Sequence, residues 1–299
     1  MRILITGAGG FLGSNLCNLL SKEHQILAVS RQFDNITSNE NVQFAKYDLS
    51  EYLNLYEKFY SFLPDIVIHC AWQGGNASKD TSEIWQSNNI IANNNILKLC
   101  SEFKINHFIG FGSSAEFGNF KEKFNEESIC KPVNMYGIAK YSARLFSERY
   151  CLDNGIKFSW VRPVFTYGPC DVETRLIPKT IKSFLNNEKI VLNSCSTTVD
   201  YLYVEDFCNA VKNIIDFELQ GDFLISSDEE YKVKDIVQMI YKMVSPNSEL
   251  LFDSSLDNEK LAQYICGTSE KLKKMTGWRP SLSLKQGLEK TISYYQHRV

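Results

Sequence analysis

Short apolar runs alternate with longer amphipathic segments along the first half of the chain. The runs are rich in β-branched residues, and most neighbouring runs are separated by a segment in which apolar residues recur every three or four positions. The runs are RILIT (2–6), QILAVS (25–30), VQFAKYD (42–48), DIVIHCA (65–71), HFIGFGS (107–113) and KFSWVRP (157–163). Because strands that alternate with helices form βαβ units, this pattern predicts an α/β fold built on a doubly wound parallel sheet.

The pattern becomes less regular after about residue 165. The elements predicted there are a helix near 174–187, a strand at 199–204, a helix near 206–217, a strand at 222–226, and a helix with Val233, Ile236, Val237, Ile240 and Val244 in register. We interpret this region as a smaller, mainly C-terminal α/β lobe that packs over the sheet edge where ligands of open α/β sheets bind. The expected boundaries are 1–165 for the sheet domain, with 195–220 returning to it, and 166–194 plus 221–299 for the lobe.

The composition indicates an ordinary globular chain. Its 299 residues are 44% hydrophobic and 22% charged, which is enough for one large domain or two small ones. The formal net charge of −3 and the lack of a long basic run argue against a nucleic-acid partner. No apolar stretch reaches about 18 residues. Because the first strand begins almost at Met1, we expect neither a signal peptide nor a membrane span.

The cysteines and histidines do not form a metal-binding pattern. Nine cysteines are scattered along the chain, the closest two being Cys195 and Cys208, and the four histidines are equally dispersed. Free buried thiols are typical of a reducing compartment, so we expect a cytoplasmic protein without a metal site. The chain has no G-x-S-x-G motif, so a serine hydrolase has little support.

The first strand runs directly into a glycine-rich turn and then into an amphipathic helix. The segment ITGAGGFLGSNL places Gly7, Gly10 and Gly13 at three-residue spacing. Glycines allow backbone amides to approach a pyrophosphate, which then sits at the positive end of the helix. This context predicts a Rossmann-type dinucleotide site, and a tight turn without a ligand is the alternative.

The end of the second strand bears on the choice of dinucleotide. A cofactor with a free 2′-hydroxyl usually meets an Asp or Glu there, but this chain has Ser30 and Arg31. A guanidinium pairs bidentately with a 2′-phosphate, which a carboxylate would repel. We therefore favour NADP(H), while Asp34, three residues further on, keeps NAD(H) possible.

The ends of the third and fourth strands complete the predicted cofactor cleft. Asp48 and Leu49 close the third strand, where an adenine ring could lie. HCAW (69–72) closes the fourth strand, and we expect its backbone and small side chains to line the dinucleotide.

Tyr136 and Lys140 stand four residues apart in NMYGIAKYSARLF (134–146). On a helix this spacing puts both on one face. Either the tyrosine is a core residue beside a solvated lysine, or the ammonium lowers the pKa of the phenol. A phenol with a pKa near 10 needs a drop of about three units, roughly 4 kcal/mol, to transfer a proton at neutral pH. A cation about 5 Å away supplies roughly 3 kcal/mol at an effective dielectric constant of about 20, so Lys140 and an oxidised nicotinamide together suffice.

Nearly the whole chain resembles the extended short-chain dehydrogenase/reductase superfamily, in its nucleotide-sugar branch. The resemblance is carried, in order, by TGAGGFLG, DL (48–49), HCA (69–71), Asn89 in NNIIANNNIL, GSSAEFG, YGIAK, VRPVFTYGP, VDYLYVEDF and TGWRP. It implies that Ser114, Tyr136 and Lys140 form the catalytic triad. Ser114 would hydrogen-bond a keto oxygen, Tyr136 would supply its proton, and Lys140 would also hold the nicotinamide ribose. The residues assigned to the cofactor are Gly7, Gly10, Phe11, Leu12, Gly13, Ser30, Arg31, Asp48, Leu49, Ala71, Tyr136, Lys140 and Pro163.

Departures from the family's patterns narrow the expected chemistry. Dehydratases that resemble the chain carry an Asp–Glu pair directly after the Ser/Thr, whereas Ser114 is followed by Ala115 and Glu116, so dehydration is not expected. Epimerase-reductases of the GDP-fucose type place a Cys and a His where this chain has Glu116 and Arg175, so double epimerisation loses support. Glu116 could act as a base, or it could brace the strand end.

The predicted site for a substrate diphosphate is unusual. The family usually has Arg–Asp before the aromatic strand, with the arginine on the diphosphate, but this chain has Val199–Asp200. Two phosphates need charge-assisted donors, and without them the substrate would not be a nucleotide sugar. The candidate replacements are Arg175, Lys179, Lys182 and Arg279. The predicted substrate-binding residues are Ser113, Glu116, Arg175, Lys179 and Arg279.

The expected function is NADPH-dependent reduction of a nucleotide-linked 4-keto-6-deoxy sugar in surface-glycan sugar biosynthesis. A C4-epimerase with tightly bound NAD shares the Ser-Tyr-Lys set, although Arg31 replaces the acidic residue typical of it. A reductase of a small carbonyl compound is a further alternative. So is a non-catalytic NAD(P) sensor on the same fold, but sensors typically lose the tyrosine or the lysine. By resemblance, we expect a homodimer formed through helices 85–103 and 137–153.

Overall fold

The structure is a computed structural model that describes residues 1–74, 83–257 and 264–298. The chain forms two compact units. The first consists of residues 1–118, 128–163 and 210–223, and the second of residues 119–127, 164–209 and 224–299. Within the described ranges, no helix combines the length and the hydropathy that crossing a membrane requires.

Strands and helices are numbered in chain order over the described residues. The strands are β1 (Arg2–Thr6), β2 (Gln25–Ser30), β3 (Val42–Lys46), β4 (Ile66–His69), β5 (His107–Phe111), β6 (Lys157–Pro163), β7 (Phe165–Tyr167), β8 (Ile190–Leu192), β9 (Thr198–Val199), β10 (Tyr201–Tyr203), β11 (Gly221–Ile225), β12 (Tyr231–Lys232), β13 (Leu250–Phe252) and β14 (Tyr264–Ile265). The α-helices are α1 (Phe11–Leu20), α2 (Tyr52–Phe62), α3 (Glu83–Glu102), α4 (Met135–Asp153), α5 (Leu176–Leu185), α6 (Val204–Asp216), α7 (Val233–Val244), α8 (Glu270–Thr276) and α9 (Leu284–Gln296).

The first unit is organised around a seven-stranded sheet with the order β11-β6-β5-β4-β1-β2-β3. All pairings from β6 across to β3 are parallel, and Thr6 of β1 lies between Val29 of β2 and His69 of β4. The strand order reverses direction between β1 and β4, and such a reversal opens a ligand-binding crevice at the carboxyl ends of the strands. The predicted fold class is confirmed, and β1 to β6 begin and end within two residues of the predicted runs.

The core of the first unit explains the apolar character of these strands. Leu4 of β1, Val67 of β4 and Phe108 of β5 are fully buried and belong to one cluster with side chains from α2, α3 and α4. Parallel strands covered by helices bury both faces, which makes them near-continuous apolar runs. Gly110 in β5 makes room for Trp160 in β6, because a Cβ at Gly110 would lie 2.3 Å from the indole ring.

The second unit has a separate core formed by helices and short strand pairs. Ile181 of α5, Ile240 of α7 and Leu288 of α9 are fully buried in one cluster. Strand β7 pairs with β10 and β8 pairs with β13, both in parallel. Strand β9 pairs with β12 in antiparallel fashion and with β14 in parallel.

The unit boundaries differ from those expected from the sequence. Only residues 210–223 return to the first unit, because β9 and β10 pair with strands of the second unit. Residues 119–127 belong to the second unit, since Phe120 bridges to Tyr264 and Phe124 bridges to Gly267.

Candidate active site

The glycine turn between β1 and α1 has the geometry that a bound pyrophosphate requires. Gly7 adopts a positive φ of 66°, and a Cβ there would lie 2.6 Å from the amide nitrogen of Ala71. A Cβ at Gly13 would lie 2.3 Å from the Gly7 carbonyl oxygen. Helix α1 starts at Phe11 after the N-cap Gly10, which has no side chain to cap the positive end of the helix. These features fit a dinucleotide phosphate at the start of α1.

Gly9 is a close-approach position that the sequence reasoning missed. A Cβ at Gly9 would lie 1.8 Å from the carbonyl oxygen of Gln32 and 2.9 Å from the hydroxyl of Ser30. The segment after β2 therefore packs directly on the glycine turn. The sequence did contain an indication of this packing. Gly9 precedes Gly10 in TGAGG, and the predicted phosphate-binding set of Gly7, Gly10 and Gly13 does not require a glycine at position 9.

Arg31 and Asp48, both predicted to bind the cofactor, form an ion pair across the ends of β2 and β3. The two charged groups are 3.8 Å apart, and the Arg31 side chain is 62% exposed. The Ser50 amide and hydroxyl, which donate to the Asp48 carboxylate, lower its pKa, and Arg31 adds a smaller effect. Leu49 packs against the core, so only part of its side chain is accessible.

The remaining cofactor predictions also lie in the first unit. Phe11 is the first residue of α1 and is buried, Leu12 follows it, and Ala71 touches the glycine turn. Pro163 is the last residue of β6.

The start of α4 places Tyr136 and Lys140 one turn apart, as predicted. The helix is capped by Asn134, whose side chain accepts a hydrogen bond of 2.8 Å from the Gly137 amide. A Cβ at Gly137 would lie 2.4 Å from the Ala115 carbonyl oxygen, so the glycine lets α4 approach the turn that follows β5. Lys140 is only 3% exposed, and its ammonium donates a 2.6 Å hydrogen bond to the Phe111 carbonyl oxygen.

Trp72, three residues after β4, contacts both members of this pair. The ammonium of Lys140 lies 3.8 Å from the centroid of its ring, and the ring of Tyr136 meets it edge to face at 6.5 Å. Burial lowers the pKa of Lys140 to about 7, an effect that the negative charge of Glu116 opposes. From the sequence, small side chains were expected to line the cleft at HCAW (69–72). The indole of Trp72 is therefore a second functional candidate, after Gly9, that the sequence did not reveal.

Ser113 and Ser114 follow the end of β5 in a tight turn. Ser113 caps a single 3-10 turn, Ser114–Glu116, and its hydroxyl accepts a 3.1 Å hydrogen bond from the Ala115 amide. Both serines are half-buried. The turn therefore presents two hydroxyl groups at the carboxyl end of the sheet, and it lies directly against α4 at Gly137.

Glu116 requires a correction, because the structure does not leave it available to a substrate. The residue is completely buried. One carboxylate oxygen accepts hydrogen bonds from the Ser113 amide at 2.9 Å and the Trp160 indole at 3.0 Å, and the other accepts from Arg162 at 2.7 Å. Arg162 is itself 1% exposed and lies 3.1 Å from Asp222. Glu116 therefore braces the turn after β5, and its assignment to substrate binding is wrong.

The basic residues predicted to hold a diphosphate lie in the second unit. Arg175 precedes α5 and donates a 3.0 Å hydrogen bond to Asp171, while Lys179 is exposed one turn further on and Lys182 pairs with Glu173. Burial raises the pKa of Asp171 to about 6, although Arg175 opposes that rise.

Arg279 lines a different part of the second unit from Arg175 and Lys179. It borders a cleft of about 240 Å³ whose residues include neither of them. The cleft is lined by Tyr167, Tyr201, Leu202, Tyr203, Ser227, Glu229, Arg279 and residues 280–284. In the described part of the chain, no group of three or more His, Cys, Asp or Glu could hold a metal ion.

Comparison with known proteins identifies the family of this chain. The model of the NAD dependent epimerase/dehydratase family matches residues 3–225. The GDP-6-deoxy-D-mannose reductase of Pseudomonas aeruginosa is 25% identical over all of this chain and 98% of its own. Protein CapI of Staphylococcus aureus is 29% identical over 72% of this chain and 69% of its own.

Solved structures show the same fold. A UDP-glucuronic acid 4-epimerase from Bacillus cereus, in complex with UDP-glucuronic acid and NAD, superposes with a TM-score of 0.90 over 100% of both chains at 23% identity. A UDP-glucose 4-epimerase from Thermotoga maritima, with UDP-glucose, gives a TM-score of 0.89 at 22% identity over 100% of this chain and 99% of that one. The family match covers most of the chain and includes the glycine turn, Trp72 and the Tyr136–Lys140 pair. The chain therefore belongs to the NAD-dependent epimerase/dehydratase family, in the nucleotide-sugar branch of the extended short-chain dehydrogenases/reductases.

Proposed function

We propose that this protein is an NADPH-dependent reductase of a nucleotide-linked 4-keto-6-deoxy sugar. The observation that carries the proposal is the contact of Tyr136 and Lys140 with one indole beside the glycine turn. A phenol next to a buried ammonium, at the end of a dinucleotide-binding sheet, is suited to proton transfer onto a carbonyl oxygen. The relative from Pseudomonas aeruginosa, a GDP-6-deoxy-D-mannose reductase, supports the choice of substrate class.

The side chains divide the reduction between them. A reduced dinucleotide whose pyrophosphate is held by the glycine turn between β1 and α1 would supply a hydride for the carbonyl carbon. Tyr136 gives its phenolic proton to the carbonyl oxygen, so that the ketone becomes an alcohol. The positive charge of Lys140 stabilises the phenolate that remains, and a hydroxyl from the turn after β5, assigned to Ser114, orients the carbonyl by a hydrogen bond.

The absence of an acid–base pair beside Ser114 favours simple reduction over dehydration. Ala115 has no ionisable group, and the carboxylate of Glu116 is occupied by Arg162, Trp160 and the Ser113 amide. Neither residue can supply the proton that would accompany loss of water from the sugar. From the protein's side chains, reduction needs only the Tyr136–Lys140 pair and a hydroxyl group, because the hydride comes from the dinucleotide.

A C4-epimerase is the second candidate, and the Arg31–Asp48 pair favours it. Asp48 offers a carboxylate, about half exposed, just after β3, and Arg31 balances its negative charge. A cofactor with a free 2′-hydroxyl, such as NAD, could donate a hydrogen bond to this carboxylate. Solved structures with the same fold include three of UDP-sugar 4-epimerases in complex with NAD and one of a UDP-glucose 4-epimerase with UDP-glucose.

An absorbance assay tests the proposal. The purified protein is incubated with NADPH and the 4-keto-6-deoxy sugar linked in turn to dTDP, CDP, GDP and UDP, and oxidation is followed at the nicotinamide absorbance. We expect substrate-dependent oxidation with one of the four. Failure with all four would refute the proposed substrate class, and NAD retained through purification would favour the epimerase.

Replacing Arg31 with aspartate is expected to change the cofactor preference. Losing one charge-assisted hydrogen bond to a 2′-phosphate, worth about 2 kcal/mol, should lower kcat/KM for NADPH by roughly 30-fold and leave that for NADH nearly unchanged. Asp48→Asn removes the partner of Arg31 and keeps the guanidinium, so it should keep the preference for NADPH over NADH. Equal losses with both cofactors in Arg31→Asp would contradict a role for Arg31 at the 2′-phosphate.

We also propose that the protein is a homodimer through α3 and α4. Exposed apolar side chains on these helices support this arrangement, among them Ile91, Phe146 and Leu152. Leu152→Glu is expected to convert dimers into monomers in sedimentation velocity. Leu53→Glu, which changes a leucine on α2 that is even more exposed than Leu152, should leave the dimer intact. A monomeric wild-type protein would contradict the proposal.

A further inference from the structure

Trp72 is fixed in place by polar side chains of α3. Its indole N–H donates a 3.0 Å hydrogen bond to the side-chain oxygen of Gln86, which is 1% exposed. Gln86 in turn donates to the Gly74 carbonyl oxygen at 3.2 Å. Gln73, which lies between Trp72 and Gly74, is held by Asn89. The Asn89 side chain accepts a hydrogen bond of 2.8 Å from the Gln73 amide and donates one of 2.7 Å to the Gln73 carbonyl oxygen. Buried amides whose oxygen and nitrogen are both hydrogen-bonded in this way hold one conformation of the chain, so the indole presents a defined face.

That face lies over the ammonium of Lys140, and few other groups among the described residues offset its positive charge. The Phe111 carbonyl oxygen accepts one hydrogen bond from the ammonium, and Glu116 is the negative group that acts on it. In the part of the chain that the structure describes, the other titratable groups near the ammonium are Tyr136, Cys70 and His69. Burial raises the pKa of Cys70, and burial lowers the pKa of His69 to about 3, so both are neutral at pH 7.

We propose that Trp72 is a positioning residue of this active site: its indole, oriented by Gln86, holds Lys140 charged and beside Tyr136. An aromatic face attracts a cation through its quadrupole, and the attraction is strongest where water is excluded. The indole supplies this attraction without a carboxylate, which would bind the ammonium and draw it away from the phenol. Trp72 also contacts the ring of Tyr136, so one side chain sets the relative position of both groups. The inference deepens the proposed function and rests on it.

The charge state of Lys140 can be measured without any turnover. We would label lysine with ¹³C at Cε, assign Lys140 from the spectrum of Lys140→Met, and titrate the cofactor-free protein by NMR. Trp72→Leu keeps an apolar side chain and removes the aromatic face, so the pKa of Lys140 should fall by about one unit. Trp72→Phe keeps an aromatic face and should shift it by less than half as much. An unchanged pKa in Trp72→Leu, or equal shifts in the two variants, would overturn the proposal.

The pH dependence of kcat gives the corresponding kinetic readout. Activity that needs a protonated Lys140 is lost as the pH rises through its pKa. A lower pKa in Trp72→Leu therefore moves the alkaline limb of the kcat profile to lower pH, while Trp72→Phe should stay close to the wild type. A profile that falls in height without moving would mean that Trp72 acts only through packing, and would overturn the proposal.

Gln86 allows the orientation of the indole to be tested in a protein that keeps its tryptophan. Gln86→Leu should lower kcat about fivefold in the wild-type background and less than about twofold in Trp72→Phe, which has no N–H to orient. Equal effects in both backgrounds would show that Gln86 acts independently of Trp72 and would overturn this part of the inference. If the wild type oxidised NADPH with none of the four keto sugars, the proposed function would fail, and the NMR titration would still decide whether Trp72 controls the charge of Lys140.

Discussion

Replacing Tyr136 with phenylalanine is expected to lower kcat for keto reduction by about a thousandfold, because the carbonyl oxygen then has no positioned proton donor. Phenylalanine keeps the ring that meets Trp72 edge to face, so the packing at the start of α4 should be preserved. Affinity for NADPH, measured by fluorescence titration, should change by less than about threefold, since only a hydroxyl group is removed. The kinetic loss should therefore appear in kcat with little change in cofactor binding.

Tyr150→Phe is the matched control for this substitution. Tyr150 lies on the same helix, stacks on Phe146 and is only partly buried, so loss of its hydroxyl should leave kcat within a factor of about two. Retention of more than about a tenth of the wild-type kcat in Tyr136→Phe would contradict its assignment as the proton donor. A protein that binds the cofactor and is inactive before any mutation would instead favour the non-catalytic sensor.

Replacing Arg162 with methionine is expected to lower the free energy of unfolding of the first unit by about 3 to 5 kcal/mol. Both Arg162 and Glu116 are essentially inaccessible to water, so removal of the guanidinium leaves a buried carboxylate without its ionic partner. The unfolding transition can be followed by tryptophan fluorescence, because Trp72, Trp85 and Trp160 lie in the first unit and only Trp278 lies in the second.

Two variants separate the charge from the loss of side-chain bulk. Arg149→Met breaks an ion pair on α4 whose arginine is 71% exposed, and it should cost less than about 0.5 kcal/mol. Combining Arg162→Met with Glu116→Gln removes both charges and should recover at least half of the lost stability. A single Arg162→Met variant as stable as Arg149→Met would contradict the bracing role of the Glu116–Arg162 pair.

The strands of the sheet and the start of the cofactor site were predictable because their signals are local. A strand buried on both faces is a continuous apolar run, and a glycine turn that joins such a run to an amphipathic helix is typical of a dinucleotide site. The Tyr136–Lys140 pair is local in the same sense, since a four-residue spacing on a helix defines one face. These predictions needed no knowledge of which elements meet in space.

The parts that were missed or wrong depend on contacts between distant segments. Trp72 contacts Lys140 although 68 positions separate them in the sequence, and nothing in HCAW indicates which helix will lie against the indole. Glu116 meets Arg162 across 46 positions, and the alternative that it braces the strand end was open but undecided. The glycine directly after β5 is consistent with this contact. A Cβ at Gly112 would lie 2.3 Å from the Glu116 carboxylate, so only a glycine leaves room for that carboxylate.

The unit boundary was missed for a similar reason. Residues 198–203 form two very short strands, and runs of two or three residues carry too little periodicity to show which sheet they join. Their partners β7, β12 and β14 lie elsewhere in the sequence, so the pairing depends on how the segments of the second unit pack together.

The most direct test of the proposed reaction follows the fate of the transferred hydrogen. The protein is supplied with NADPH that carries deuterium at the transferable position of C4, together with the keto sugar nucleotide that it accepts, and the product is analysed by mass spectrometry and NMR. A reductase places one deuterium on the sugar carbon that was the ketone, with one NADPH oxidised for each product formed. A keto sugar recovered unchanged, or a product formed without deuterium and without consumption of NADPH, would contradict net reduction.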